Sequence, residues 1–263
     1  MLIRNPVLGL AAVMLGTSLA YAGDMGTIRS SYRPVGSVFG GVANLSSRPG
    51  SYSFLGTDDD VFVYNGVNSS KTTGLVGVFL GVEPTLSYTN FFLQAGLEYS
   101  YFGNTSLYGS NTVGIEPETS TAYQYQYTLQ TQQLLAVGKF FKKTHFPKTN
   151  HILYPYLSIG LGVAFNQAKN YQAFTNETGS INITPSFADH SNTSFSYSLG
   201  VGIDSPIDQH IRIGVGYKFS DFLRANLGNG QVVINQYAYP VLFSLKNTHT
   251  YANQFIAQIS YVV

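Results

Sequence analysis

The sequence predicts an all-β protein, an eight-stranded, antiparallel, up-and-down transmembrane β-barrel with long extracellular loops and short periplasmic turns. Three observations predict it. Apolar residues alternate with small or polar ones in segment after segment, as in Leu157-Ser158-Ile159-Gly160-Leu161-Gly162-Val163. Successive side chains of a strand point to opposite faces, so each such segment has one apolar and one polar face. Charged residues make up only 10% of the chain, far below the roughly 25% usual in soluble domains. Past the N-terminal segment no window holds the ~18 consecutive apolar residues a membrane helix needs, so any crossing has to be made by strands.

The first residues are read as an export signal rather than as structure. Arg4 supplies a positive start, Val7 to Leu15 an apolar stretch, and Ala20-Tyr21-Ala22 a cleavage pattern. Residues 1–22 are therefore expected to be a cleaved secretory signal peptide, and 23–263 the barrel domain. Removing Arg4 from 14 basic residues leaves 13, against 13 acidic ones. A net charge near zero argues against nucleic acid as a partner. Cysteine is absent, which excludes disulfides, thiolate metal sites and thiol nucleophiles.

The strands follow in order. Val38 to Ser46 alternates Phe39, Gly41, Ala43 and Leu45 against Val38, Gly40, Val42 and Asn44. Gly74 to Glu83 places Val76, Val78, Leu80 and Val82 outward, with Phe79 and Glu83 inward. In Phe91 to Phe102 the outward set is Phe91, Leu93, Ala95, Leu97, Tyr99 and Tyr101; Gln94 and Glu98 face in. Ala122 to Phe140 carries Tyr123, Tyr125, Tyr127, Leu129, Leu135 and Val137 on one parity, read as its lipid face, with Gln124, Gln126, Gln130 and Gln132 on the other. Thr131 and Gln133 interrupt that face, which suggests a bulge or a part standing above the membrane.

Ile152 to Ala168 alternates most cleanly, and the sixth strand sets Phe195, Tyr197, Leu199, Val201 and Ile203 against Ser196, Ser198, Gly200, Gly202 and Asp204. The seventh sets Ile211, Ile213, Val215, Tyr217 and Phe219 against Arg212, Gly214, Gly216 and Lys218. The last, Tyr251 to Val263, sets Phe255, Ala257, Ile259, Tyr261 and Val263 against Ala252, Gln254, Gln258 and Ser260, and is expected to close the barrel on the first. Connections after strands one, three, five and seven are long, and those after two, four and six are short. Barrels of this class keep short turns periplasmic, so both termini are expected there. The apolar segment Gln231 to Leu245 inside the last long loop is too short for two spanning strands, and a structured loop is expected.

Two sets of residues stand out. Glu83, Glu98, Asp204, Arg212 and Lys218 face inward on their strands. An eight-stranded interior is just wide enough to be filled by side chains, and charges buried there have to pair. They are read as lumen ion-pair candidates, the competing reading being a gate or narrow solute path. Tyr99, Tyr101, Tyr123, Phe165, Phe195, Tyr217 and Phe219 are placed in one aromatic girdle, and Phe91, Tyr154 and Tyr261 in the other. Asp58-Asp59-Asp60 lacks the ligand spacing of a calcium loop, and the sequon Asn176-Glu177-Thr178 carries no weight in loops rich in Asn, Ser and Thr. No cofactor and no metal is expected.

With these features the chain resembles the small outer-membrane β-barrels of Gram-negative bacteria, of the OmpA transmembrane-domain and opacity-protein type. The resemblance rests on the signal peptide, the strand rhythm and the terminal Ile259-Ser260-Tyr261-Val262-Val263. It implies a surface-exposed barrel in the outer membrane, in contact with lipid and lipopolysaccharide and inserted by the barrel-assembly machinery. That machinery usually reads a final Phe, from which Val263 departs. The expected role is non-enzymatic, structural and surface-interacting, as a monomer whose loops contact host or phage molecules. A narrow porin-like channel is the alternative. Third comes a lipid A-modifying enzyme. Lipid A deacylases carry a His/Ser pair, whereas His145, His151, His190, His210 and His249 include no H-x-S pattern.

Overall fold

The computed structural model describes residues 32–49, 51–55, 61–67, 69–84, 90–114, 120–146, 151–175, 183–234, 237–241 and 244–263. The segment 1–22 expected to direct export, Asp58-Asp59-Asp60 and Asn176-Glu177-Thr178 lie outside them. Eight long strands form the wall: β1 (Tyr32–Pro49), β2 (Ser69–Pro84), β3 (Phe91–Phe102), β4 (Thr121–Lys142), β5 (His151–Phe174), β6 (His190–Pro206), β7 (Ile211–Asp221) and β8 (Lys246–Val262). Each pairs antiparallel with its neighbours in sequence, and β1 pairs with both β2 and β8. Val38 faces Val78 on one side and Ile259 on the other, which closes the ring. Closure pairs every wall strand on both sides across the apolar belt, the condition for β-structure to sit in lipid.

The apolar parity of most strands faces out. Leu80, Leu157, Val215 and Phe255 each leave 62–65% of their surface uncovered. Such a belt of large exposed apolar side chains is costly in water and is at home against hydrocarbon. Strands also run longer than their alternation shows. β4 has 22 residues and β5 has 24, more than the roughly 9–11 that a tilted strand needs to cross a bilayer. The excess stands above the membrane at the end carrying the long connections.

That excess corrects the reading of β4. Tyr123, Tyr125, Tyr127, Leu129, Leu135 and Val137 are all buried inside the wall, and the glutamine face is the outer one. The outside of a membrane barrel is lipid only across the bilayer. Above it the outer solvent is water, so the pattern inverts to apolar-in, polar-out. On β4 the switch falls near Leu134, below which Ala136 and Phe140 share the outward parity. Tyr123 is therefore no girdle residue. Tyr154, read as an inner-girdle aromatic, takes the inward parity of Tyr156 and stacks edge-on with Phe92, at 5.3 Å between centroids.

The long connections hold strands of their own. Ser51–Leu55 and Val61–Gly66 form a hairpin, and the second of these pairs with Thr105–Val113, which folds back on the upper part of β4. Ile183–Phe187, Gly230–Ile234 and Tyr237–Val241 make a separate three-stranded sheet. Within the apolar segment, Gly230–Ile234 and Tyr237–Val241 thus pair with each other and add nothing to the ring of eight.

Candidate functional site

Inside the wall the side chains fall into tiers. Nearest the short turns, Arg212 donates from Nη1 and Nη2 to Glu83 Oε2 and Oε1, at 2.7 and 3.0 Å. Gln94 donates to the same carboxylate at 2.9 Å, and Arg33 lies 3.5 Å away at the rim. The Arg212 guanidinium sits 5.1 Å from the ring centres of both Phe92 and Tyr154. It is thus held by a planar two-bond fork and by two aromatic faces, the geometry that suits Arg better than Lys.

Deeper in, Lys218 Nζ lies 2.5 Å from Glu98 Oε1 and 4.8 Å from the ring centre of Phe39. Asp204 accepts from Gln258 at 2.6 Å, and Gln258 in turn accepts from Lys139 at 3.3 Å. The ammonium of Lys139 lies 4.6 Å from the Phe79 ring centre and 5.6 Å from that of Tyr156. All five predicted inward charges are buried in the lumen. The structure joins four of them in two direct pairs and gives Asp204 an amide relay instead. Lys139 is the partner that the sequence reading missed. It shares the inward parity of Leu135 and Val137, and a lysine between Gly138 and Phe140 in a lipid-crossing strand has only the lumen to enter.

Apolar side chains are interleaved with the charges and continue beyond them, Phe79 pairing in register with Glu98. Val35, Phe79, Leu135, Val137 and Val262 cluster toward the short turns, and Phe39, Ala43, Leu45, Leu75, Phe102, Phe222 and Ala252 form the middle layer. Beside the middle layer, and reaching toward the long connections, run neutral polar groups. Gln133 donates to Ser196 at 2.7 Å, Gln254 to Ser220 at 2.8 Å, and Thr131 to Asn166 at 2.9 Å. The long-loop end is then capped by a tyrosine-rich core, in which Phe62, Tyr64, Leu107, Tyr123, Tyr125, Tyr127 and Leu129 of one side meet Phe187, Leu227, Val232 and Leu245 of the loops. Tyr64 and Phe187 pack edge to face, 5.5 Å apart. Burial pushes the phenols of Tyr64 and Tyr171 well above the ordinary tyrosine value, and neighbouring tyrosines add to the shift.

Seen from outside, the girdle aromatics sit on the outward parity except Tyr123 and Tyr154. Tyr99 donates to Gln132 at 2.9 Å, and Tyr101 accepts from Gln130 at 2.6 Å, so these phenols bond the polar upper face of β4. Phe165 and Phe195 are exposed, Tyr217 donates to Asn253 at 2.6 Å and packs on Phe255, and Phe219 stacks on Tyr251. At the other rim Tyr261 stacks on His210 and Phe91 on Phe140. Among the histidines, His249 contacts Asp221 at 3.0 Å, and among the described residues no three His, Cys, Asp or Glu side chains come together as a metal site.

A closed ring of eight antiparallel strands with an apolar outer belt and a polar, charge-bearing interior is the geometry of an outer-membrane barrel. The family model for the outer membrane protein beta-barrel domain matches residues 8–241. The chain belongs to that family. As a member of the outer-membrane β-barrel family, it is a protein of the bacterial outer membrane.

Solved structures similar to this family member include Neisserial surface protein A, at 13% identity and a TM-score of 0.38, covering 86% of this chain and 96% of that one. Another is the outer membrane protein OprG of Pseudomonas aeruginosa, at 12% identity and a TM-score of 0.37, with 90% and 99% covered. The outer membrane protease OmpT of Escherichia coli is similar at 10% identity and a TM-score of 0.44, with 90% and 100% covered. Among curated proteins none matches the chain.

Proposed function

We propose that the protein is a closed, non-enzymatic outer-membrane scaffold that displays its long-loop end at the cell surface for interaction. Both termini are then periplasmic, and the barrel works as a monomer among outer-membrane lipid, lipopolysaccharide and host or phage surface molecules, once inserted by the barrel-assembly machinery. The observation that carries this reading is the filling of the interior. The lumen charges are paired or relayed, Phe79, Phe102 and Phe222 are fully buried inside the wall, and the tyrosine-rich cap lies over them. A conducting path needs a hydrated lumen, and paired charges with aromatic packing leave little room for one.

The surface-interaction part is supported by what the cap leaves uncovered. Tyr237 and Tyr239 on the loop hairpin, together with Tyr108 and Phe174, are exposed aromatics at the long-loop end. Aromatic side chains on a protruding surface are the residue types enriched in binding interfaces.

Planar-bilayer recording of the refolded protein tests the closed-scaffold reading. The expected result is a folded, heat-modifiable barrel that produces no steps. Reproducible conductance that changes when Glu98 or Lys218 is neutralised would establish the channel alternative in its place.

A further inference from the structure

Between β6 and β8, beyond the end of β7 and just past the girdle, lies a hollow of about 550 Å³ lined by Ser194, Phe195, Leu223, Arg224 and His249. We propose that it is a binding site for the phosphate-bearing headgroup of a membrane lipid, with Arg224 as the anion contact. The site's position comes first. Tyr197, Phe219 and Tyr251 form a row of contacting rings on the outward face, and His249 stacks on Tyr251, 5.5 Å away. Two residues of strand advance roughly 7 Å, so His249 stands one step above the aromatic belt, at the depth where headgroups lie.

The backbone under Arg224 is held with unusual thoroughness. Its carbonyl accepts from Asn166 at 2.9 Å, from Asn192 at 2.8 Å and from Ser194 at 3.0 Å. The preceding Leu223 takes a left-handed conformation, φ 51°, which a leucine rarely adopts. Its amide is fixed by Asp221 at 2.8 Å, and its carbonyl by the amide of Thr250 at 3.0 Å. Three side chains from two strands and one strained residue thus converge on a turn whose only protruding charge is the Arg224 guanidinium. Strain that the surroundings maintain is a mark of a functional position.

The local charges leave that guanidinium available. Asp221 is buried, and both its oxygens are taken, Oδ1 by the Leu223 amide and Oδ2 by His249 Nδ1 at 3.0 Å. Among the described residues, Arg224 makes no ion pair and its side chain no hydrogen bond, although it is exposed. Arginine offers a planar set of donors that matches phosphate oxygens. The remaining lining explains why the ligand is a lipid rather than a free ion. Phe195, 55% exposed on the lipid side, and Leu223 give an apolar wall, which inorganic phosphate could not use.

Native mass spectrometry of the refolded full chain in detergent, offered a bisphosphorylated glucosamine-disaccharide lipid (lipid A), its dephosphorylated form or inorganic phosphate, tests this. The wild type is expected to retain the phosphorylated lipid, R224Q to lose at least ~10-fold in occupancy-derived affinity, and K71Q, an exposed cation outside the hollow, to behave as wild type. R224K keeps the charge without the fork and should fall between, which preserves the test should R224Q not give a heat-modifiable band. Equal retention of the dephosphorylated lipid, or undiminished binding by R224Q, overturns the proposal. Competition by inorganic phosphate at the lipid's own concentration overturns the lipid assignment in favour of a free-anion site. The proposal draws on the scaffold reading for which leaflet supplies the lipid. Binding in detergent is independent of orientation and of conductance, so either reading can fail alone.

Discussion

The guanidinium of Arg212 and the carboxylate of Glu83 meet edge to edge across the lumen, with bonds of 2.7 and 3.0 Å, although their strands are not neighbours in the ring. The pair therefore braces the wall from within rather than along it. Its two members are not equally provided for. Glu83 also has Gln94 and Arg33, whereas Arg212 faces no second carboxylate within ion-pair distance among the described residues and otherwise rests between Phe92 and Tyr154.

This inequality predicts an order of mutant effects. Removing one member of a buried pair costs about 3–5 kcal/mol because the other is stranded, whereas replacing both is often close to neutral. E83Q strands Arg212 and should fall at the upper part of that range. R212Q leaves Glu83 with a cation at the rim and an amide, and should cost less. The double variant E83Q/R212Q should recover most of the loss. Urea unfolding in lipid vesicles, followed by the heat-modifiable band, measures all three. A double variant as unstable as the sum of the singles would remove the pair from the account.

The capping core predicts a response to alkali. Burial raises the phenol pKa of Tyr64 and Tyr171, so both stay neutral in the fold where the unfolded chain ionises. The sign follows from linkage. With the folded pKa above the unfolded one, the contribution is complete below about pH 10 and is lost as pH rises beyond it, by up to about 1.4 kcal/mol per unit for each withheld phenol. Absorbance at the phenolate band should show these tyrosines withheld after a jump to about pH 11, a unit past the reference value, then appearing in step with protease cleavage of the loops. Immediate titration of every tyrosine with the cap still protected would contradict the burial.

The membrane-embedded part of the fold was legible because lipid outside and a polar lumen inside impose one rule on every crossing strand. Leu157 to Phe165 and Ile211 to Phe219 obey it, and parity alone placed Glu83, Glu98, Asp204, Arg212 and Lys218 inside. The same rule misled above the bilayer. Tyr123 to Leu129 alternate as sharply as any lipid face, but their outer solvent is water, so the tyrosines turn in and the glutamines out. Periodicity reports that two faces differ and is silent on what each touches. Misassigning that parity also hid Lys139. The rim site was out of reach for a different reason: Asn166, Asn192, Ser194 and Asp221 reach Arg224 and Leu223 from three strands, and no spacing in the sequence encodes that convergence.

The seam between β1 and β8 carries the last prediction. Gly41 pairs with Ile256, and a Cβ added to it would lie 1.9 Å from the backbone oxygen of Phe255. That obstacle is main chain and cannot rotate away, so the seam has to open for any larger residue; glycine is present because two backbones approach closely there. Gly74, on β2, has nothing within 4 Å of the same position. G41A should therefore reduce the yield of heat-modifiable barrel on refolding, while G74A should match wild type. Because β1 and β8 are the chain's first and last barrel strands, the defect should fall on closure. It should appear as material that is membrane-bound but protease-sensitive, rather than as a lower melting temperature of barrels that do form. Normal yield from G41A would mean that the seam has slack which its geometry does not show.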